Sequence, residues 1–192
     1  MVVKKFFKGA LPLITGAATL FAMQLVFSLF SLSATALMDA RPTLSFILFV
    51  LFYASTFVFV YFLGSSAAYT DFNVRKNNAL RIKNGEAVED YKLLREYRPW
   101  KGFAMGALSL LPLVLSVLLS LLIGSEGFYA VVRLCFVLYY MPFHAATGSM
   151  SVLPMLLACI PVSAICGAGY LIRGYKLQAQ QEKLAPKANK SR

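Results

Sequence analysis

The stretch from Asp71 to Lys101 constrains this chain most, because it is the one long polar segment in an otherwise apolar sequence and holds 13 of the 27 charged residues. Two long apolar runs precede it and the remaining apolar mass follows it. A segment so charged belongs in water or among lipid headgroups. The flanking runs are long enough to cross a bilayer, which takes about 20 residues per helix. Apolar residues make up 59% of the chain and mean hydropathy is +0.67, above the ~45–50% apolar content of a soluble domain. The predicted class is therefore all-α: a polytopic membrane protein. Its 192 residues allow one bundle and short loops, with no separate soluble domain.

Taken in order, Lys4, Lys5 and Lys8 precede an apolar run over about 10–32. A signal peptide is one reading, with Ala34-Thr35-Ala36 as a cleavage-like site, but the run exceeds the ~7–15 residues of such an apolar region. A retained first span is expected, with Pro12 in its first turns, where a missing N–H does least harm. Asp39, Arg41 and Pro42 form a connection to a second span, 43–69, whose many aromatic residues point around the whole helix. In the polar stretch, Asn84-Gly85 predicts a type I′ hairpin turn with Lys83 opposite Glu86, followed by an interfacial helix. Two short helices separated by Gly85 are the alternative.

Pro99 opens a third span, 100–123, with Trp100 at interface depth. Gly102 and Gly106, then Ser116, Ser120 and Gly124, place small residues at four-residue spacing, which makes a flat groove for another helix. Pro112 should bend this span. A fourth span, 152–172, carries Cys159, Ser163 and Gly167 at the same spacing and is the expected partner of that groove. Between them, 128–143 is too short for a comfortable span. Tyr129, Arg133 and Tyr140 recur on one helical face, as in an interfacial or re-entrant segment with Arg133 snorkelling. Residues 1–175 are read as one membrane bundle and 176–192 as a basic flexible tail.

The net charge of +11 concentrates at the N-terminus, in 71–101 and in the tail. The positive-inside rule puts all three in the cytoplasm, which four spans satisfy. A fifth span would strand six positive tail residues against one Glu on the wrong side. This placement predicts a multi-pass plasma-membrane protein with both termini cytoplasmic. Its basic residues then meet anionic headgroups rather than nucleic acid.

No catalytic, cofactor or metal motif emerges. The span interiors lack Asp, Glu, Lys and His, which disfavours a proton-coupled pump. Cys135, Cys159 and Cys166 form no metal-ligand pattern, and the last two lie about 10 Å apart along a helix, beyond disulfide reach. His144 near Ser149 lacks both an orienting acid and the G-x-S-x-G setting of a nucleophile. Carbonyls freed by Pro112, Pro154 or Pro161 leave an ion path conceivable.

Arg98-Pro99-Trp100-Lys101-Gly102, Val132-Arg133-Leu134 with Met141-Pro142-Phe143, and Gly167-Ala168-Gly169-Tyr170 before Gly174-Tyr175 resemble uncharacterised small four-span membrane proteins of Gram-positive bacteria. The resemblance covers the last half of the chain and implies topology and a bacterial plasma membrane, but no activity and no functional residue. The leading expectation is a non-enzymatic accessory component that associates with itself or with a membrane partner. A transporter or channel component is the alternative, and a membrane-embedded lipid-active enzyme comes third.

Overall fold

The computed structural model describes residues 2–37, 40–124, 127, 130 and 152–189. Among these residues the ordered elements are helices: α1 Val2–Thr35, α2 Pro42–Lys83, α3 Asp90–Leu94, α4 Lys101–Ile123 and α5 Val152–Asn189. Three stretches are long and apolar enough to cross a membrane: Lys5–Ala34, Pro42–Lys83 and Lys101–Leu119. Tyr129, Arg133 and Tyr140, which carry the interfacial reading of 128–143, lie outside the described residues.

The four long helices alternate in direction. Phe27 meets Phe59 and Phe30 stacks on Phe52, so α1 and α2 are antiparallel. At their junction Ser45 Oγ donates to the Ala34 carbonyl at 2.6 Å, beside the Leu37 N–H that the same oxygen accepts at the end of α1. Helix α4 runs parallel to α1, with Gly16 against Met105 and Gln24 against Ser109. Helix α5 returns antiparallel to α4 and parallel to α2. Around the bundle the order is α1, α2, α5, α4, and each long helix packs on two neighbours. Leu20, Val60, Leu113, Val117, Val162 and Cys166 fill the centre. Outward, the large apolar side chains of Phe46, Phe62, Leu115 and Ile160 are half or more exposed.

Several expectations are corrected by the helices' actual extents. Helix α2 has 42 residues, about 63 Å at ~1.5 Å each, roughly twice the hydrocarbon thickness. Residues 71–83 are therefore helix and not loop. No Pro or Gly interrupts them, and the buried stripe of Gly64 and Ala68 runs on through Asp71, Phe72 and Asn78. Asn84-Gly85 is a helix stop, not a hairpin. Gly85 takes φ +79°, its N–H bonds the Ile82 carbonyl and the Glu86 N–H bonds the Arg81 carbonyl, the paired bonds of a Schellman cap. Glu86 pairs with Arg81 at 3.1 Å rather than standing opposite Lys83. Helix α5 likewise continues to Asn189, through residues expected to be a flexible tail. Lys176 to Lys183 are almost all strong helix formers, and Leu177 packs on the cluster of Ala68, Phe72, Tyr97 and Tyr170.

Pro12 is interior to α1, not in its first turns, because the helix begins at Val2. A proline at position i leaves the carbonyl of residue i−4 without its N–H. That orphan is the Lys8 carbonyl, and Arg95 donates to it from Nε at 3.2 Å and from Nη2 at 3.0 Å. The segment after Gly85 thus folds back over the end of the bundle. Asn78 fixes it through the Lys92 carbonyl and Glu96 Oε1, and Leu94 seats on Gly9, where a Cβ would come within 2.8 Å of the leucine.

Candidate functional site

Three helices converge on one carboxylate at this end of the bundle. Asp71 of α2, Lys101 at the start of α4 and Tyr170 of α5 are all nearly buried. Lys101 Nζ lies 3.2 Å from Asp71 Oδ2, and the Tyr170 hydroxyl donates to the same oxygen at 2.7 Å. The acid also sits near the N-terminus of α4, where the free N–H groups and helix dipole favour negative charge and disfavour Lys101. Asp71 is therefore the group that makes the position of Lys101 tenable.

Tyr97 extends this knot to the returning loop. Its ring stacks on Tyr170 at 5.1 Å with an interplanar angle of 6°, and its N–H donates to the Asp71 carbonyl at 3.2 Å. Its hydroxyl end lies flat on Gly174, where any Cβ would collide with it. Burial pushes the Tyr97 hydroxyl above its ordinary pKa, Tyr175 adds to the shift and Arg75 opposes it, so the ring is a neutral packing element near pH 7.

Beside the knot lies a cavity of about 520 Å³. Its α1 wall runs from Phe6 to Thr19, its α2 wall from Leu63 to Asp71, and Lys101 and Met105 of α4 also line it. Thr15 and Thr19 bond back to the carbonyls of Leu11 and Thr15, which consumes their hydroxyls and, with Pro12, favours a bend in α1. Arg98 and Trp100 stand at the charged end, both exposed. Deeper in the bundle, Gln24 Nε2 donates to Ser109 Oγ at 3.1 Å, while Gln24 Oε1 and Ser28 Oγ are buried without a partner among the described residues.

The residues singled out for helix packing are distributed unevenly. Gly102 faces Tyr170 and Gly167, and a Cβ on Gly106 would come within 2.6 Å of the Ser163 Cα. Ser163 Oγ donates across to the Phe103 carbonyl at 2.9 Å, and Gly167 underlies the Phe103 ring. Ser116 turns its hydroxyl to the Pro112 carbonyl of its own helix. The side chains of Ser120 and Cys159 lie outside the described residues. Gly124 ends α4 with φ +63°, and no described residue lies within 4 Å of a Cβ added there. Sequence patterning singles out neither Asp71 nor Arg95, and Tyr97 and Tyr170, aromatic residues expected at interface depth beside Trp100, are buried instead. Signals existed for the first two: Asp71 continues the Gly64-Ala68 stripe, and Pro12 implies an orphan carbonyl needing a donor.

Comparison with protein-family models, with curated proteins and with solved structures finds no match. What the architecture defines is a class: an all-helical bundle containing three helices of membrane-crossing length.

Proposed function

We propose that this is a four-span plasma-membrane protein, with its charged end and both termini in the cytoplasm, that works by association rather than by catalysis. The observation that carries the reading is the projection of α2 and α5 together past any plausible hydrocarbon layer, ending in Arg75, Lys76, Arg81 and Lys83 on α2. These positive residues belong on the cytoplasmic side, as in the small four-span proteins of Gram-positive bacteria that the chain resembles. The small-residue seam between α4 and α5 is consumed inside the chain, so it supports the bundle and leaves the projecting pair for a partner or a second copy. Leu80 and Ile82 are 51% and 58% exposed there, apolar side chains that the described residues leave half uncovered. Single cysteines placed at Leu80 and beyond Tyr175, on a cysteine-free background, test the orientation with an impermeant reagent. Labelling from outside would overturn it. In-membrane cross-linking at Ile82, followed by mass measurement of the product, tests association, and a purely monomeric chain in native membrane would count against it.

A transporter or channel component is the second reading, favoured by the unpartnered Gln24 and Ser28 oxygens in mid-bundle. Solute flux into liposomes that depends on Gln24 would establish it.

A further inference from the structure

The cavity between α1 and α2 has the polarity gradient of an amphiphile site. From Phe6 to Thr19 its α1 wall covers fourteen residues, about 20 Å along the helix, enough for the ~15 Å hydrocarbon depth of one leaflet and part of the headgroup layer. Its deep part is walled by Leu13, Leu63 and Met105. At its shallow end the charges do not balance. Lys101 is neutralised by Asp71, while Arg98 has no ion pair and no side-chain hydrogen bond among the described residues. An unpaired guanidinium presents a fork of N–H donors that suits a phosphate. The volume of about 520 Å³ falls within the ~300–1,000 Å³ of ligand sites and has room for an apolar chain rather than a whole lipid.

We propose that this cavity holds one acyl chain of an anionic phospholipid from the adjacent leaflet, with the headgroup phosphate on Arg98. Charge complementarity selects the occupant: a zwitterionic lipid brings its own cation to a site that already has one, and a soluble phosphate would leave the apolar depth empty. Pro12 and the back-bonded Thr15 and Thr19, residues that favour a bend, line the α1 wall of this space, while Arg95 caps the carbonyl that Pro12 leaves without its helical N–H. The proposal rests on membrane placement but not on orientation or association, so outside labelling of the tail would overturn those and leave this site standing.

Trp100, the single tryptophan of the chain, lines the mouth and reports occupancy directly. The experiment titrates detergent-purified full chain with phosphatidylglycerol carrying brominated acyl chains and follows Trp100 quenching, with brominated phosphatidylcholine in parallel. The expected result is quenching that saturates near one lipid per chain, with phosphatidylglycerol preferred about fivefold, the effect of one basic residue at an anionic headgroup. Arg98→Gln should remove the preference and keep the binding. Ser66→Phe, from an exposed residue lining the cavity, should abolish the saturable phase, and Ser66→Leu should weaken it. Thermal unfolding run alongside confirms that each variant is folded. Quenching that rises linearly and equally for both lipids, a saturable phase untouched by both Ser66 variants, or relief of quenching by inorganic phosphate alone would each overturn the proposal.

Discussion

Lys101→Met tests the account of the buried knot most sharply. The substitution keeps the stem of the side chain and deletes its charge, leaving the Asp71 carboxylate with the Tyr170 hydroxyl at 2.7 Å and the N-terminal dipole of α4. The two charged side chains are 9% and 12% exposed, so little water can compensate. Removing one partner of such a pair costs about 3–5 kcal/mol. We expect about 3 kcal/mol here, because Tyr170 and the helix end still stabilise the anion. Asp71→Leu should cost at least as much, since it leaves an ammonium facing a helix N-terminus that repels it. The double variant removes both charges and should lie within about 1–2 kcal/mol of the parent, the remainder being the lost tyrosine hydrogen bond. Coupling in this cycle should then exceed about 2 kcal/mol. Reversible unfolding in mixed micelles with rising dodecyl sulfate, followed by far-ultraviolet circular dichroism, measures all four states. Single-variant losses below about 0.5 kcal/mol that simply add would refute the claim that the pair is buried and mutually dependent.

Three further outcomes follow from the same packing. Ser163→Leu should destabilise the bundle by roughly 1–3 kcal/mol through overpacking, because Ser163 meets Gly106 backbone to backbone; an unchanged melting temperature in detergent would refute the close seam. Arg95→Ala should cost about 0.5–1.5 kcal/mol by removing the donor to the Lys8 carbonyl, and the cost should disappear in a Pro12→Ala background, where the intrahelical donor is restored, so a cost unchanged by that background would refute the capping role. Gly85→Ala should lose about 1 kcal/mol, since φ +79° is disfavoured for any residue with a Cβ, and equal stability would show that α2 does not end in the cap described.

How much of this architecture can be read from the sequence depends on how far apart the interacting residues lie. Apolar length alone marks the spans, and four-residue spacing identifies Gly102, Gly106, Ser163 and Gly167, which the fold does bring together. Local rules are ambiguous at Asn84-Gly85. The same positive φ serves a type I′ turn and a helix cap, and only the unbroken run of helix-compatible residues before it distinguishes them. Charge was a poorer guide. Thirteen charged residues between 71 and 101 suggest solvent throughout, yet Asp71 is 8% exposed and Lys101 is 7% exposed. Their pairing spans 30 positions and that of Asp71 with Tyr170 spans 99, so no helical or strand periodicity links the members of either pair.

Pro12 shows how such distance can be partly overcome. Its chemistry dictates locally that the Lys8 carbonyl lacks an intrahelical N–H, so a donor from elsewhere, or water, must supply the bond. The sequence cannot say which donor, because Arg95 lies 87 positions away. A proline within a long apolar helix thus makes a specific demand on the rest of the chain. Here the demand is met by an arginine in the very segment that looked like a solvent loop, and that segment becomes part of the bundle because of it. The same reasoning applied to Pro112 points to the Leu108 carbonyl, the acceptor its ring leaves without an intrahelical partner. Pro112 is exposed, so that carbonyl opens on the outer face of α4, away from the core. Pro112→Ala, which restores the intrahelical N–H, should therefore stabilise the bundle where unpaired polar groups are costly. Thermal unfolding in lipid nanodiscs measures the change, and a loss of stability would show that the proline's shape is needed for packing.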